Sequence, residues 1–337
     1  MSNSSPLHSE GRGWVFLFLC LLLFLLMPVA CGEGSGGPTA EEVARRDSAA
    51  FHVAVMPVAD CLPLHFAQRT GMFDSLGVDV RLHTLTSQLD IDTALLRGHV
   101  MLAYSDLIRA IVIQQADTCP VVAVAAVDGD LALVTPRRGR VRTIPQLRER
   151  MVAVARHSIT DYWSDRLTDT ASMERDAIFR PQINAVGVRT AMLINGTMDA
   201  AFLPEPYATQ MTLLGAKCHL STHQLQPRLA AFVAAAPAMT DTARRRQLAL
   251  CLRAYDLAAA RLNADGRDSL PSMLRQLCHV PDSLADSLAT LLPPFARLDS
   301  VRRADADAAL RWLQQRGRSR DGYTPDTLIS NITPPTY

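Results

Sequence analysis

Between residues 51 and 239 the chain alternates short apolar, β-branched runs with segments of helical spacing, and it does so in two successive blocks. No other feature constrains the fold as much, because strands linked through helices by short connections lie parallel in a sheet with helices packed on it. The first block reads FHVAVMP (51–57) as a buried strand ended by Pro57, then a helical segment over 62–72 stopping at Gly71, and VDVRLHTL (78–85) as an alternating strand. A helix over 90–97 closing on Gly98, the strand VMLAYSD, a helix over 107–115 and the strand VVAVAAV follow. The second block opens on LALVTP and a helix start at Thr143-Ile144-Pro145-Gln146, with Thr143 as N-cap and Pro145 in the first turn. It continues as strand MVAVARHS, a helix from Ile159, QINAVG, a helix over 188–195, MDAAFLP and the strand LAAFVAAAP (229–237). A long amphipathic helix over 240–263, capped by Thr240 or Asp241, leads into mostly helical sequence and a polar, Pro-containing tail from 317. Two such blocks predict two lobes, with ligand groups gathered beyond the carboxyl ends of the strands where helix N-termini converge.

Ahead of this body, an apolar run from Trp14 to Ala30 ends at Cys31, and a packing-free stretch, GEGSGGP, follows. The run is short for a bilayer span of about 20 residues and suits a signal-peptide core. Val29-Ala30-Cys31 resembles a bacterial lipoprotein signal in which the cysteine is lipidated; Pro28 departs from the leucine that motif prefers, and an uncleaved anchor is the competing reading. Either way the body is expected outside the inner membrane, with 1–31 as signal and lipidated cysteine and 32–50 as flexible tether.

The charges nearly cancel, at +1 overall, and are interspersed, so nothing argues for nucleic acid. Beyond Cys20 and Cys31, the cysteines Cys61, Cys119, Cys218, Cys251 and Cys278 have no metal-ligand spacing and specify no disulfide. The histidines form no HxxxH or HxH pair, so no metal site is expected.

Three segments carry a family resemblance. VAVMPVADCLPLHFAQRTGMFDSLGVDVRL, with Gly71-Met72-Phe73 and Gly77-Val78-Asp79-Val80, resembles the opening of solute-binding proteins of the thiamine-precursor, sulfonate and nitrate group of ABC importers (the NMT1/THI5-like family). DTALLRGHVMLAYSDLIRAI resembles that family's helix-Gly-strand ending in a small polar pair, here Ser105-Asp106. INGTMDAAFLPEPYATQM matches its Gly-x-x-Asp-Ala-x-x-x-x-Glu-Pro-Tyr segment at Gly196, Asp199, Ala200, Glu205, Pro206 and Tyr207, and the long helix carries Ala254-Tyr255-Asp256 in the expected place. The resemblance implies an α/β, type II periplasmic-binding-protein fold of two lobes, each a mostly parallel sheet flanked by helices, joined by two hinge crossings. It puts 51–128 with 240–316 in lobe 1 and 129–239 in lobe 2. It also implies a monomer that binds a small molecule without cofactor or catalysis and partners an ABC permease and ATPase. The cysteine-rich motif of the pyrimidine-synthase relatives is absent. A sensor lipoprotein, a sulfonate or nitrate binder, and an enzyme of menaquinone type on the same fold are the alternatives.

Candidate ligand contacts follow from strand ends. Asp60 and Cys61 follow the first strand, with Asp60 either a helix cap or a ligand acceptor. Ser87, within Thr86-Ser87-Gln88, follows the second strand, and Ser105 and Asp106 end the third. Ser158, Thr160 and Asp161 open a helix of the second lobe, with Tyr162 (or Trp163) able to stack on a flat ligand. Glu205 and Tyr207 flank Pro206 by the hinge, where Glu205 has ligand contact or hinge-tying as its two readings. Asp60, Asp106, Asp161 and Glu205 together would favour a cationic or N–H-rich, thiamine-pyrimidine-like ligand, and a single inward arginine, Arg109 or Arg156 being nearest, would reverse that preference.

Overall fold

The computed structural model describes residues 39–116 and 120–330, so the expectations for the signal segment, Cys31, the start of the tether, Cys119 and the last residues of the tail lie outside it. The chain divides into two compact units at Ala49. The described part of the first is helix α1 (Ala40–Ala49), which buries no residue. Its start is a reciprocal cap: Glu42 N–H donates to Thr39 Oγ1 and Thr39 N–H to the Glu42 carboxylate.

The second unit holds two mixed sheets. In one, β1 (Phe51–Val55), β2 (Val80–Thr84), β3 (Leu102–Asp106), β4 (Val121–Ala126) and β9 (Ala230–Ala235) lie in the order β2-β1-β3-β9-β4. In the other, β5 (Leu131–Thr135), β6 (Val152–Ala153), β7 (Ala200–Pro204) and β8 (Lys217–Ser221) lie in the order β6-β7-β5-β8. β3, β7 and β9 are buried along their whole length, as strands covered on both faces must be, and this is why β7 and β9 read as unbroken apolar or small-residue runs.

The sheets are less parallel than expected. β1 pairs in parallel with β2 and β3, but β9 runs antiparallel to both β3 and β4, and β5 antiparallel to β7 and β8. The reason is the hinge. A strand that arrives from the other lobe starts at the edge where its neighbours finish, so Leu131 faces Pro204 and Ala230 faces Asp106. β9 also corrects the lobe boundary: LAAFVAAAP belongs to the first sheet, and the chain returns before Ala230 rather than after 239.

The crossings, 127–130 and 222–229, run side by side. Val127 N–H donates to Ala230 O at 3.1 Å, Thr222 N–H to Leu131 O at 2.8 Å, and Leu131 N–H to Thr222 Oγ1 at 2.8 Å. Gly129 sits here at φ 57° with its α-carbon against the Ala230 side chain, so any larger residue would be both strained and blocked.

Helices α2 (Leu62–Arg69), α3 (Met72–Ser75), α4 (Gln88–Leu96) and α5 (Leu107–Gln115) belong to the first lobe, and α6 (Ile159–Thr170), α7 (Val186–Ile194) and α8 (Tyr207–Leu213) to the second. After β9 come α9 (Pro237–Thr240), the long α10 (Thr242–Ala264) packed on α2, then α11 (Leu270–Cys278), α12 (Asp282–Leu291) and α13 (Arg303–Gln315). Phe232 of β9 is fully buried between Tyr104 and Tyr255, edge to face with both, and burial of a ring that size is worth about 2–3 kcal/mol. The tail is not free up to Ser330: Ala123 N–H donates to Leu328 O and Ser330 N–H to Ala123 O, covering the outer edge of β4. QINAVG forms only isolated bridges, and MVAVARHS shortens to the two residues of β6. No helix among the described residues is long and apolar enough to cross a membrane.

Candidate functional site

Four helices begin where the two sheets face each other. In the first lobe, Ser87 caps α4 and Asp106 caps α5; in the second, Ser158 caps α6, and α7 starts after Ala185 with no side-chain cap. Between them lies a cavity of about 40 Å³, room for little more than a water, lined by Gln88, Ser105 and Asp106 from one side and Ser158, Thr160, Asn184 and Arg189 from the other. Gly129, Leu131 and Ala230 of the crossings form its floor.

The lobes are closed on each other. Asp106 Oδ1 accepts from Arg109 N–H of its own helix at 2.9 Å, and Oδ2 accepts from Ile159 N–H of α6 at 3.2 Å. One carboxylate thus caps a helix in each lobe. Burial raises its pKa to about 6 against the opposing pull of the Arg109 charge and the two N–H groups. Ser87 pairs with Ala185, Arg109 Nη1 donates to Arg156 O at 3.3 Å, and Ala59 N–H donates to Glu205 O at 2.7 Å, adding three further links across the gap.

Three buried polar atoms on this cavity have no partner: Gln88 Oε1, Ser105 Oγ and Arg189 Nε. Arg189 is the sharpest case. It is 4% exposed, its Nη1 donates to Ile183 O at 2.7 Å and Asn184 O at 3.3 Å, and no carboxylate among the described residues pairs with it. Burial alone pushes its pKa down to about 10. A buried charge without a counter-ion is costly, and a guanidinium kept this way among helix N-termini has the chemistry to pair with an oxyanion. Sequence reasoning did not find it. The available signal was VGVRTAMLI, in which Arg189 is the one charge on a helix that is otherwise apolar or small.

Of the residues expected from sequence, Ser105, Asp106, Ser158 and Thr160 line the cavity. The hydroxyls of the last two are engaged locally: Ser158 Oγ donates to Ala155 O at 2.7 Å, and Thr160 Oγ1 accepts from Ala155 N–H at 2.9 Å. The rest are turned to structural work. Asp60 Oδ2 accepts from Tyr104 Oη–H at 2.8 Å, and burial raises its pKa to about 7. Glu205 accepts from both Thr209 N–H and Thr209 Oγ1, closing the first turn of α8, and burial raises its pKa too. Asp161 accepts from His157 N–H and faces Arg316 at 3.4 Å, while Tyr162 packs on Trp163 and Trp312. Ser87 is spent on Asp90, Cys61 is fully buried with its thiol pKa raised by burial, and Tyr207 Oη reaches Cys278 O at 3.5 Å. Arg109, near the cleft as expected, is paired with Asp92. Among the described residues the cysteines Cys61, Cys218, Cys251 and Cys278 are free thiols, and no three His, Cys, Asp or Glu side chains gather as metal ligands.

Residues 59–225 match the family model described as NMT1/THI5 like. No curated protein matches the sequence. Among solved structures, the fold is similar to the alkanesulfonate-binding protein SsuA from Xanthomonas axonopodis pv. citri bound to MOPS, at TM-score 0.71 and 16% identity, over 84% of this chain and 99% of that one. The periplasmic aliphatic sulphonate binding protein SsuA from Escherichia coli gives TM-score 0.68 at 16% identity over 86% and 94% of the two chains. The periplasmic nitrate-binding protein NrtA from Synechocystis PCC 6803 gives 0.66 at 15% identity over 83% and 84%.

Proposed function

The chain belongs to the NMT1/THI5-like family on a periplasmic-binding-protein fold, and from that premise we propose that it captures a small solute with an anionic head group by lobe closure and hands it to an ABC permease and ATPase. Export and lipidation at Cys31, which would hold it at a membrane outside the cytoplasm, are part of the same reading. The observation that carries the ligand class is Arg189, a buried guanidinium with an orphaned Nε on the cavity wall. A sulfonate or nitrate there would take the guanidinium, the Ser105 hydroxyl and the free N–H groups at the start of α7. The case for a nitrogenous, thiamine-pyrimidine-like ligand needed four carboxylates to meet, and three of them, Asp60, Asp161 and Glu205, bond elsewhere. Binding without turnover is the reading adopted, since the polar groups of the cavity make a receptor for charge.

Thermal-shift measurements with aliphatic sulfonates, nitrate and aminopyrimidines test this. A solute at a hundred times its Kd stabilises by about 2.7 kcal/mol, several degrees of melting temperature. Stabilisation by sulfonates or nitrate supports the reading. A response to cationic pyrimidines alone overturns the ligand class, and silence across the whole panel counts against solute capture.

A further inference from the structure

The far pole of the second lobe is a basic surface with greasy patches, and we infer that it docks on a bilayer containing anionic phospholipid. β5 leaves the hinge and ends at Thr135, α7 ends at Ile194 and α8 at Leu213, so the turns after all three lie at the end of the lobe remote from the cleft. The first of these turns and the segment after it carry Arg137, Arg138, Arg140, Arg142, Arg148 and Arg150, with Glu149 the one acid in that stretch. Lys217, the chain's sole lysine, joins them by donating to Arg142 O.

These cations differ from the arginines that the fold uses in ion pairs. Arg109, Arg180, Arg228, Arg302 and Arg303 each pair with an aspartate. None of the six polar arginines has a carboxylate partner among the described residues, and Asp199, the nearby acid of the groove, is bonded to Met151 N–H. The groove is open and about 570 Å³ in volume, and its lining combines Arg137, Arg138, Arg140 and Arg150 with Ile194 and Leu214, which are 50% and 39% exposed.

Cations sharing a groove with exposed aliphatics match a headgroup layer backed by acyl chains better than an acidic protein segment, which would have no use for the aliphatics. The apolar run ending at Cys31 keeps such a surface close by, but the inference stands on the pole itself.

Residues 50–337 form a compact unit whose core starts at Ala50 and Phe51, so this unit can be tested without the apolar segment. It is to be co-sedimented with phosphatidylcholine vesicles with and without phosphatidylglycerol, at low and at physiological ionic strength. Binding is expected only with phosphatidylglycerol and to weaken as salt rises. Replacing Arg137, Arg138 and Arg140 by Ser should lower it roughly fivefold per arginine, about a hundredfold in all. A charge-matched control, Arg97→Ser with Arg245→Ser and Arg246→Ser, should leave it unchanged, with equal thermal midpoints certifying both folds. Equal losses in the two triple variants, equal binding to neutral vesicles, or binding to polyglutamate with none to vesicles would each overturn the inference.

Discussion

The hinge and the cavity walls are neighbours with opposite polar economies. At the hinge each acid has a taker: Asp128 holds Arg228, Asp130 holds His223, Asp60 takes the Tyr104 hydroxyl and Glu205 takes Thr209. A few residues away Gln88, Ser105 and Arg189 present buried atoms without partners to the cavity. Satisfied polar groups hold a shape; unsatisfied ones cost stability that something bound must recover. On the proposed function, the difference separates residues that position the lobes from residues that would meet the solute.

The sharpest way to break that contrast is Arg189→Met. Solute affinity should fall on the order of a hundredfold or more, because a charge-assisted contact is lost, while the empty protein is no less stable, since an uncompensated buried charge has gone. Calorimetric binding and melting curves together decide; a collapse of stability would return Arg189 to the structural side. Next comes Asp60→Asn on the hinge side. Its folded pKa of about 7 lies above that of a free carboxyl, so the folded state holds the proton more tightly, and stability falls as pH rises from about 4 to 7 and stays lost above that. Asn keeps the acceptor for Tyr104 and removes that cost. The melting temperature should rise at pH 8 by the equivalent of about 4 kcal/mol, with the gain fading as pH falls through 7 towards 4. A loss of solute affinity in this variant would move Asp60 to the binding side. The smallest effect is expected of Ser105→Ala: about fivefold weaker binding, from one neutral hydrogen bond, and an unchanged melting temperature because the hydroxyl has no partner to lose. Unchanged binding in titration would remove Ser105 from the contact set.

Local sequence carried the elements well and their partners poorly. FHVAVMP, VMLAYSD and MDAAFLP are strands because apolar and β-branched runs bounded by turns have few other uses, and the long helix begins at its Asp241 cap as the pattern suggested. LAAFVAAAP was legible as a strand but not as the neighbour of β3 and β4, since pairing depends on where the chain has been. β8, KCHLS, is an edge strand with a mixed, half-exposed pattern and sends little periodic signal. At the site, strand ends pointed to Ser105, Asp106, Ser158 and Thr160, whereas a carboxylate's eventual partner is invisible in one dimension. Asp161 looked like a cleft residue until Arg316, from beyond the far end of α13, reached it.

β9 has a consequence for biogenesis. It is the strand that joins β3 to β4, yet a ribosome delivers it only after every residue of the second lobe. Until then β4 has no sheet neighbour, so the earlier body in vectorial synthesis is the inserted lobe, and the outer one is sewn shut around it by its most distant pairing.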